Sequence, residues 1–145
     1  MTPPINPPPA ASAIHELLGI CRAVTLWQSR VDARLGALHG LGLSDFSALH
    51  HIALAPGERL RRVDLAQRLA LTPSAVTRLL GPLERRHIVA REVDGHDARA
   101  TYAVITRAGK TLVKDATETV TEIAEAILGQ LPSRDRAAFA KLAEL

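Results

Sequence analysis

The chain is predicted to be mainly α-helical with a single small β-hairpin, on three observations. Hydrophobic residues make up 47% of the 145 residues but aromatics only 3%, a balance that suits helices packed by Ala, Leu, Val and Ile. Apolar residues recur at helical spacing in long runs at both ends of the chain. Between these runs lies LALTPSAVTRLLGPLERRHIVAREVDGHDARATYAVIT, from Leu69 to Thr106. It reads as a capped helix, a short apolar strand, a tight turn and a second strand. A chain of this length is one domain's worth of protein with room for a sizeable core.

The elements follow in order. MTPPINPPPAAS is a Pro-rich lead with no basic or apolar signal region, expected to be extended and mobile over residues 1–12. Ile14, Leu17, Leu18, Cys21, Val24, Val31, Leu35 and Leu38 place a first helix from about Ala13 to Leu38, with Gln28 interrupting the stripe. Gly40-Leu41-Gly42 ends it, Ser44 can cap a second helix, and Pro56-Gly57 stops that one after Ala55. A short third helix covers Val63 to Leu69, with Asp64 in its first turn. Thr72-Pro73 opens a fourth, because the hydroxyl can accept an orphan N–H and proline at the first helical position loses no hydrogen bond. Strands are expected at Ile88–Val93 and Ala100–Thr106, with Asp94-Gly95 in the turn. Thr106 can cap a last long helix whose stripe runs from Ala108 to Leu131, stopped by Pro132, and Ser133 starts a short terminal helix. That order is a winged helix-turn-helix lobe, about residues 58–106, between N- and C-terminal helices at about 13–39 and 107–145.

Two long amphipathic end helices are more than one small lobe can cover. A second copy covers them economically, so both are expected to be dimerisation helices of a homodimer.

Composition narrows the partners. From Arg59 to Arg91 there are eight arginines against Asp64 and Glu84, a net of +6 in a chain whose total is +3. A local basic face on a near-neutral body implies an anionic partner. Cys21 stands alone, which excludes an internal disulfide framework and fits a reducing cytoplasmic compartment. No apolar run approaches the roughly 18 to 20 residues of a membrane span. No Ser-His-Asp order, Gly-rich phosphate loop or metal-ligand cluster motivates an enzyme, a cofactor or a metal.

Within the helix-turn-helix, Leu65, Ala66, Leu69, Val76 and Leu79 are expected to face inward. Thr72, Ser74, Ala75, Thr77 and Arg78 then occupy the opposite side of the early fourth helix. Short hydroxyl, methyl and guanidinium groups suit contact with base edges and phosphates of double-stranded DNA.

VDLAQRLALTPSAVTRLLGPLERRHIV and DARATYAVITRAG resemble the MarR family of bacterial transcription regulators. The second segment matches the family's wing signature, here Asp97, Arg99, Ile105-Thr106 and Gly109, with Ile in place of the usual Leu. The resemblance runs from about Ile14 to the C-terminus. It implies a homodimer in which the fourth helix enters the major groove and Arg99, at the wing tip, enters the minor groove. Asp97 can hold the Arg99 guanidinium or anchor the wing turn.

Two positions depart from the family pattern. His87 stands where a glycine is usual and where φ > 0 is often required. Gly81-Pro82 lies inside the fourth helix and predicts a kink near Leu80, with base reading confined to Pro73–Leu80. Arg85 and Arg86 would then meet phosphate or solvent.

Relatives in the family release DNA on binding a small molecule or on oxidation of a cysteine. Trp27, Arg30 and His51 are the candidate lining for a small aromatic or phenolic effector, and Cys21 is the candidate redox residue. The resulting expectation is a cytoplasmic, ligand-responsive repressor that binds a pseudo-palindromic operator as a homodimer. The competing readings are a winged-helix protein-interaction module and a thiol-based peroxide sensor using Cys21.

Overall fold

A computed structural model describes residues 9–142 apart from Ala98. Its elements are α1 (Pro9–His39), α2 (Leu43–Ala53), a 3₁₀ turn (Pro56–Glu58), β1 (Arg59–Arg61), α3 (Arg62–Arg68), α4 (Pro73–Arg85), β2 (Val89–Val93), β3 (Thr101–Ile105), α5 (Arg107–Leu128) and α6 (Ser133–Leu142). The expected mainly α chain with a β wing is what forms. None of these helices is long and apolar enough to cross a membrane.

Pro9–Ser12, expected to belong to the extended lead, are helical and part of α1. The expectation for residues 1–8 lies outside the described residues. α1 ends at Gly40, whose φ of +63° is the left-handed conformation that glycine adopts without strain. α2 starts at Leu43, and Ser44 is not its cap. Two carboxylates replace that hydroxyl: Asp45 accepts from the Gly42 N–H at 2.9 Å and Asp32 of α1 accepts from the Leu43 N–H at 2.6 Å. Charged acceptors close to the helix N-terminus also suit its dipole. α2 stops at Ala53, earlier than expected.

β1 was not expected. It pairs antiparallel with β3, which pairs antiparallel with β2, giving the order β1-β3-β2. The register sets Arg61 opposite Tyr102 and Val89 opposite Ile105. The core gathers around α2, whose Ala48, Leu49 and Ile52 are fully buried together with Leu35 of α1, Leu65 of α3, and Val76 and Leu80 of α4. By contrast, Ile14, Leu17, Leu18, Val24 and Leu38 of α1 are exposed, Leu17 and Leu18 by 60% and 62%.

α4 opens as expected: the Thr72 hydroxyl accepts from the Ala75 N–H and Pro73 takes the first position. The helix continues through Gly81-Pro82 to Arg85. Only the bond from residue 82 to the Arg78 carbonyl is forfeited. Leu80 and Leu83, buried on either side of the Gly81-Pro82 step, hold both halves to the core. His87 has φ of +57°, the positive value expected there, and the Ile88 N–H reaches back to the Leu83 carbonyl at 2.9 Å to close the helix end.

α5 is capped as expected. The Thr106 hydroxyl accepts from the Gly109 N–H at 3.0 Å and lies 2.8 Å from the His87 carbonyl, to which it donates. A Cβ on Gly109 would stand 2.3 Å from the Ile88 carbonyl oxygen, so glycine is what lets α5 press against the start of β2. These two contacts give the Ile-Thr-x-x-Gly part of the wing signature its physical sense. α5 stops at Leu128 rather than at Pro132, with Gly129 as its C-cap.

Candidate nucleic-acid interface

The first exposed surface is the N-terminal half of α4. Val76, Leu80 and Leu83 turn into the core, which forces Ser74, Thr77 and Arg78 outward. Ala75 is half-buried, and the Thr72 oxygen is committed to its cap. Thr77 donates its hydroxyl proton to the Pro73 carbonyl at 3.1 Å, leaving its methyl and lone pairs outward. Inward, Leu65, Ala66 and Val76 are buried as expected, whereas Leu69 and Leu79 are half-buried. The turn that presents α4 carries Ala70 at φ of +51°, with the Leu71 N–H donating to the Ala66 carbonyl at 2.9 Å. An alanine in this conformation is strained by about 1–2 kcal/mol and is held there by the helices on both sides.

The second surface is the wing, and its turn is built from carboxylates. Asp94 accepts from the N–H groups of His96 and Asp97 at 2.8 and 3.2 Å. Those bonds, His96 first, hold its carboxyl below the usual carboxylate range. Asp97 accepts from the Arg99 N–H at 3.0 Å, and the Asp94 N–H closes the loop on the Ala100 carbonyl at 2.9 Å. Of the two roles foreseen for Asp97, anchoring the turn is the one observed. Arg99 stands exposed at the turn.

The wing root holds a cluster that sequence reasoning missed. The Arg59 guanidinium lies 3.9 Å over the Tyr102 ring and donates to Glu92 at 2.5 Å, while Arg61 Nε donates to the Tyr102 hydroxyl at 3.1 Å. The register opposing Arg61 to Tyr102 is a long-range property that no local pattern announces. Arg61 is held above the usual arginine value, first by its bond to that hydroxyl.

The +6 segment is therefore not uniformly available. Arg59 is tied to Glu92, Arg62 pairs with Glu84, and Arg86 donates to the Gly40 carbonyl at 2.9 Å. Arg86 thus turns back to the end of α1 while staying exposed to solvent, one of the two places expected for it. Among the described residues, Arg61, Arg68, Arg78, Arg85, Arg91 and Arg99 make no ion pair. They leave the outer face of the lobe basic.

The expected effector residues do not converge. Trp27 meets Phe139 edge-on at 5.9 Å and lines an apolar cavity of about 530 Å³ with Ile20, Val24 and Leu131, where Glu16 is the one charged neighbour. Arg30 is exposed outside that lining. His51 belongs to α2, where burial, then Arg68, then His50 lower its pKa. Facing relations between helices decided this, and helical spacing alone carries none of them. Cys21 is exposed on α1. No group of three or more His, Cys, Asp or Glu among the described residues could hold a metal ion.

Comparison with known proteins agrees with this geometry. Residues 39–100 match the profile described as the MarR family. The HTH-type transcriptional repressor Rv2887 of Mycobacterium tuberculosis is 32% identical over 124 residues, covering 85% of this chain and 86% of its own. The structure of Sco3205 from Streptomyces coelicolor, a MarR family transcriptional regulator in complex with DNA, superposes with a TM-score of 0.87 at 19% identity, covering 99% of this chain and 89% of that one. AbsC, another MarR family transcriptional regulator of Streptomyces coelicolor, gives a TM-score of 0.80 at 22% identity over 91% of this chain and 87% of its own. The capped α4, the wing signature and this relatedness place the chain in the MarR family of transcriptional regulators.

Proposed function

We propose that this chain is a homodimeric repressor that binds a pseudo-palindromic DNA operator and leaves it when a small ligand binds. The observation that carries the reading is the pairing, on one lobe, of the short polar and basic face of α4 with an exposed Arg99 on a carboxylate-locked turn. Ser74, Thr77 and Arg78, with Thr72 and Ala75 beside them, would meet base edges and phosphates in the major groove, and Arg99 would enter the minor groove. Asp97 would keep the wing turn in shape. The relatives support this division: Rv2887 is described as a repressor, and Sco3205 and the Staphylococcus aureus regulator MepR were crystallised with DNA.

The exposed apolar stripe of α1 supports the dimer. Two copies joined along the end helices, residues 13–39 and 107–145, would present two lobes of residues 58–106 to successive turns of one duplex face. A DNA partner assigns the protein to the cytoplasm. The cavity beside Trp27 is the place for a small aromatic or phenolic effector, whose contacts would be mainly apolar.

A gel shift with the gene's own upstream region tests the reading. Expected is a shifted band that a random duplex does not compete away, and a binding constant that falls steeply with salt. Absence of any sequence-specific shift across the salt range would instead favour a protein-interaction module. Sedimentation measures the dimer directly, and a monomer at micromolar concentration would overturn that part.

A further inference from the structure

A groove of about 210 Å³ opens between the wing turn and the β1–α3 junction, lined by Arg61, Asp97, Arg99 and Thr101. Its two free guanidiniums come from opposite sides. Arg99 belongs to the wing turn, whereas Arg61 is the last residue of β1 and stands on the other side of β3 from β2. A third arginine on its wall, Arg62, is paired with Glu84 and so contributes little net charge.

Arg61 is not free to swing. Its Nε is engaged by the Tyr102 hydroxyl at 3.1 Å, which leaves the two terminal NH₂ groups of the fork for another acceptor. Tyr102 is itself fixed by the Arg59 guanidinium stacked on its ring, and Arg59 is fixed by Glu92. An exposed arginine ordinarily loses side-chain freedom on binding, and prior restraint removes part of that cost.

We propose that Arg61, held by Tyr102, receives a phosphodiester of the DNA backbone in this groove, with Arg99 on the far side, and that Tyr102 is a positioning residue of the interface. The proposal rests on the DNA-binding reading above. A phosphate held by Arg61 at the wing root fixes how far the turn carrying Arg99 can descend towards the minor groove, without reading any base itself. The Asp97 carboxylate also lines the groove and opposes an anion there, and its acceptance of the Arg99 N–H offsets part of that charge.

The test uses the full chain and two fluorescent duplexes, one from the upstream region and one of random sequence, each titrated across a salt series. Arg61→Ala is expected to weaken both duplexes by the same factor and to reduce the magnitude of the salt slope by about 0.9 per bound subunit. Arg61→Lys should return the slope to the wild-type value. Tyr102→Phe keeps the ring under Arg59 and removes the hydroxyl, so it should weaken both duplexes by less than Arg61→Ala. The double variant should be no weaker than Arg61→Ala alone, since the hydroxyl acts through Arg61. Wild-type affinity and slope in Arg61→Ala would overturn the phosphate site. Additive losses in the double variant would overturn the positioning role of Tyr102, because they mark an independent effect on the fold. A wild-type chain that binds neither duplex at any salt would overturn the DNA reading itself, and is distinguished by needing no variant.

Discussion

The two surfaces of the lobe are made in opposite ways. α4 is set by burial: Val76, Leu80 and Leu83 anchor one face, and Ser74, Thr77 and Arg78, the proposed reading residues, are what remains outside. The wing is set by hydrogen bonds: four of the five residues of β2 are exposed, and its turn is held by Asp94 and Asp97 accepting backbone N–H groups. A buried anchor excludes water and resists opening, while exposed hydrogen bonds compete with solvent at small net gain. On the proposed reading the helix is therefore the rigid reader, and the wing is a charged arm whose shape is kept by local polar contacts.

That contrast can be broken most forcefully at Leu80. Leu80→Ala leaves a cavity beneath the reading helix and should cost about 2–5 kcal/mol in denaturant unfolding. A loss below about 1 kcal/mol would show that α4 does not depend on its anchors. Next in size is Gly109→Ala, which forces a Cβ against the Ile88 carbonyl and should cost about 1–3 kcal/mol in the same measurement. Its effect should fall on the seam between the wing and α5.

Arg99→Ala belongs to the other side of the comparison. It touches no core residue, so the unfolding midpoint should stay where it is while affinity for DNA drops about tenfold. Unchanged affinity at physiological salt would remove Arg99 from the interface. The smallest effect concerns acid. The Asp94 carboxyl is depressed below its ordinary value of 3.8, so its stabilisation of the turn is fully present above that value and is lost as pH falls through the folded-state value. Amide shifts of His96 and Asp97 in an acid titration by NMR should move together, with a midpoint below 3.8. A midpoint at or above 3.8 would mean that the turn does not hold the charge.

What was legible in the sequence follows the same divide. Local rules found the Thr72-Pro73 start of α4 and the Thr106 cap, since each depends on neighbours a few residues away, whereas the positive φ at His87 was legible through the family resemblance. β1 escaped because Arg59-Leu60-Arg61 is too short for a period and reads as charge rather than strand. Pro82 lies inside a helix that runs on to Arg85, with buried Leu80 and Leu83 flanking the Gly81-Pro82 step. Tyr102 and the Trp27 cavity depend on pairing register and helix facing, which are fixed only when the chain closes on itself.

Consider finally the end of α1. Within a few residues, Asp32 holds the start of α2, His39 shares a 2.9 Å hydrogen bond with the buried Thr119 of α5, and the Gly40 carbonyl receives Arg86 from the end of α4. The helix is welded at this end, while along its other half Ile14, Leu17, Leu18 and Val24 stay exposed. A welded rod turns with the head it carries. With 31 residues α1 is about 46 Å long, so a tilt of about 5° at its bare end displaces the head by about 4 Å. In a dimer joined along that bare half, the spacing of the two reading helices would be governed far from the DNA, by the angle at which two rods cross.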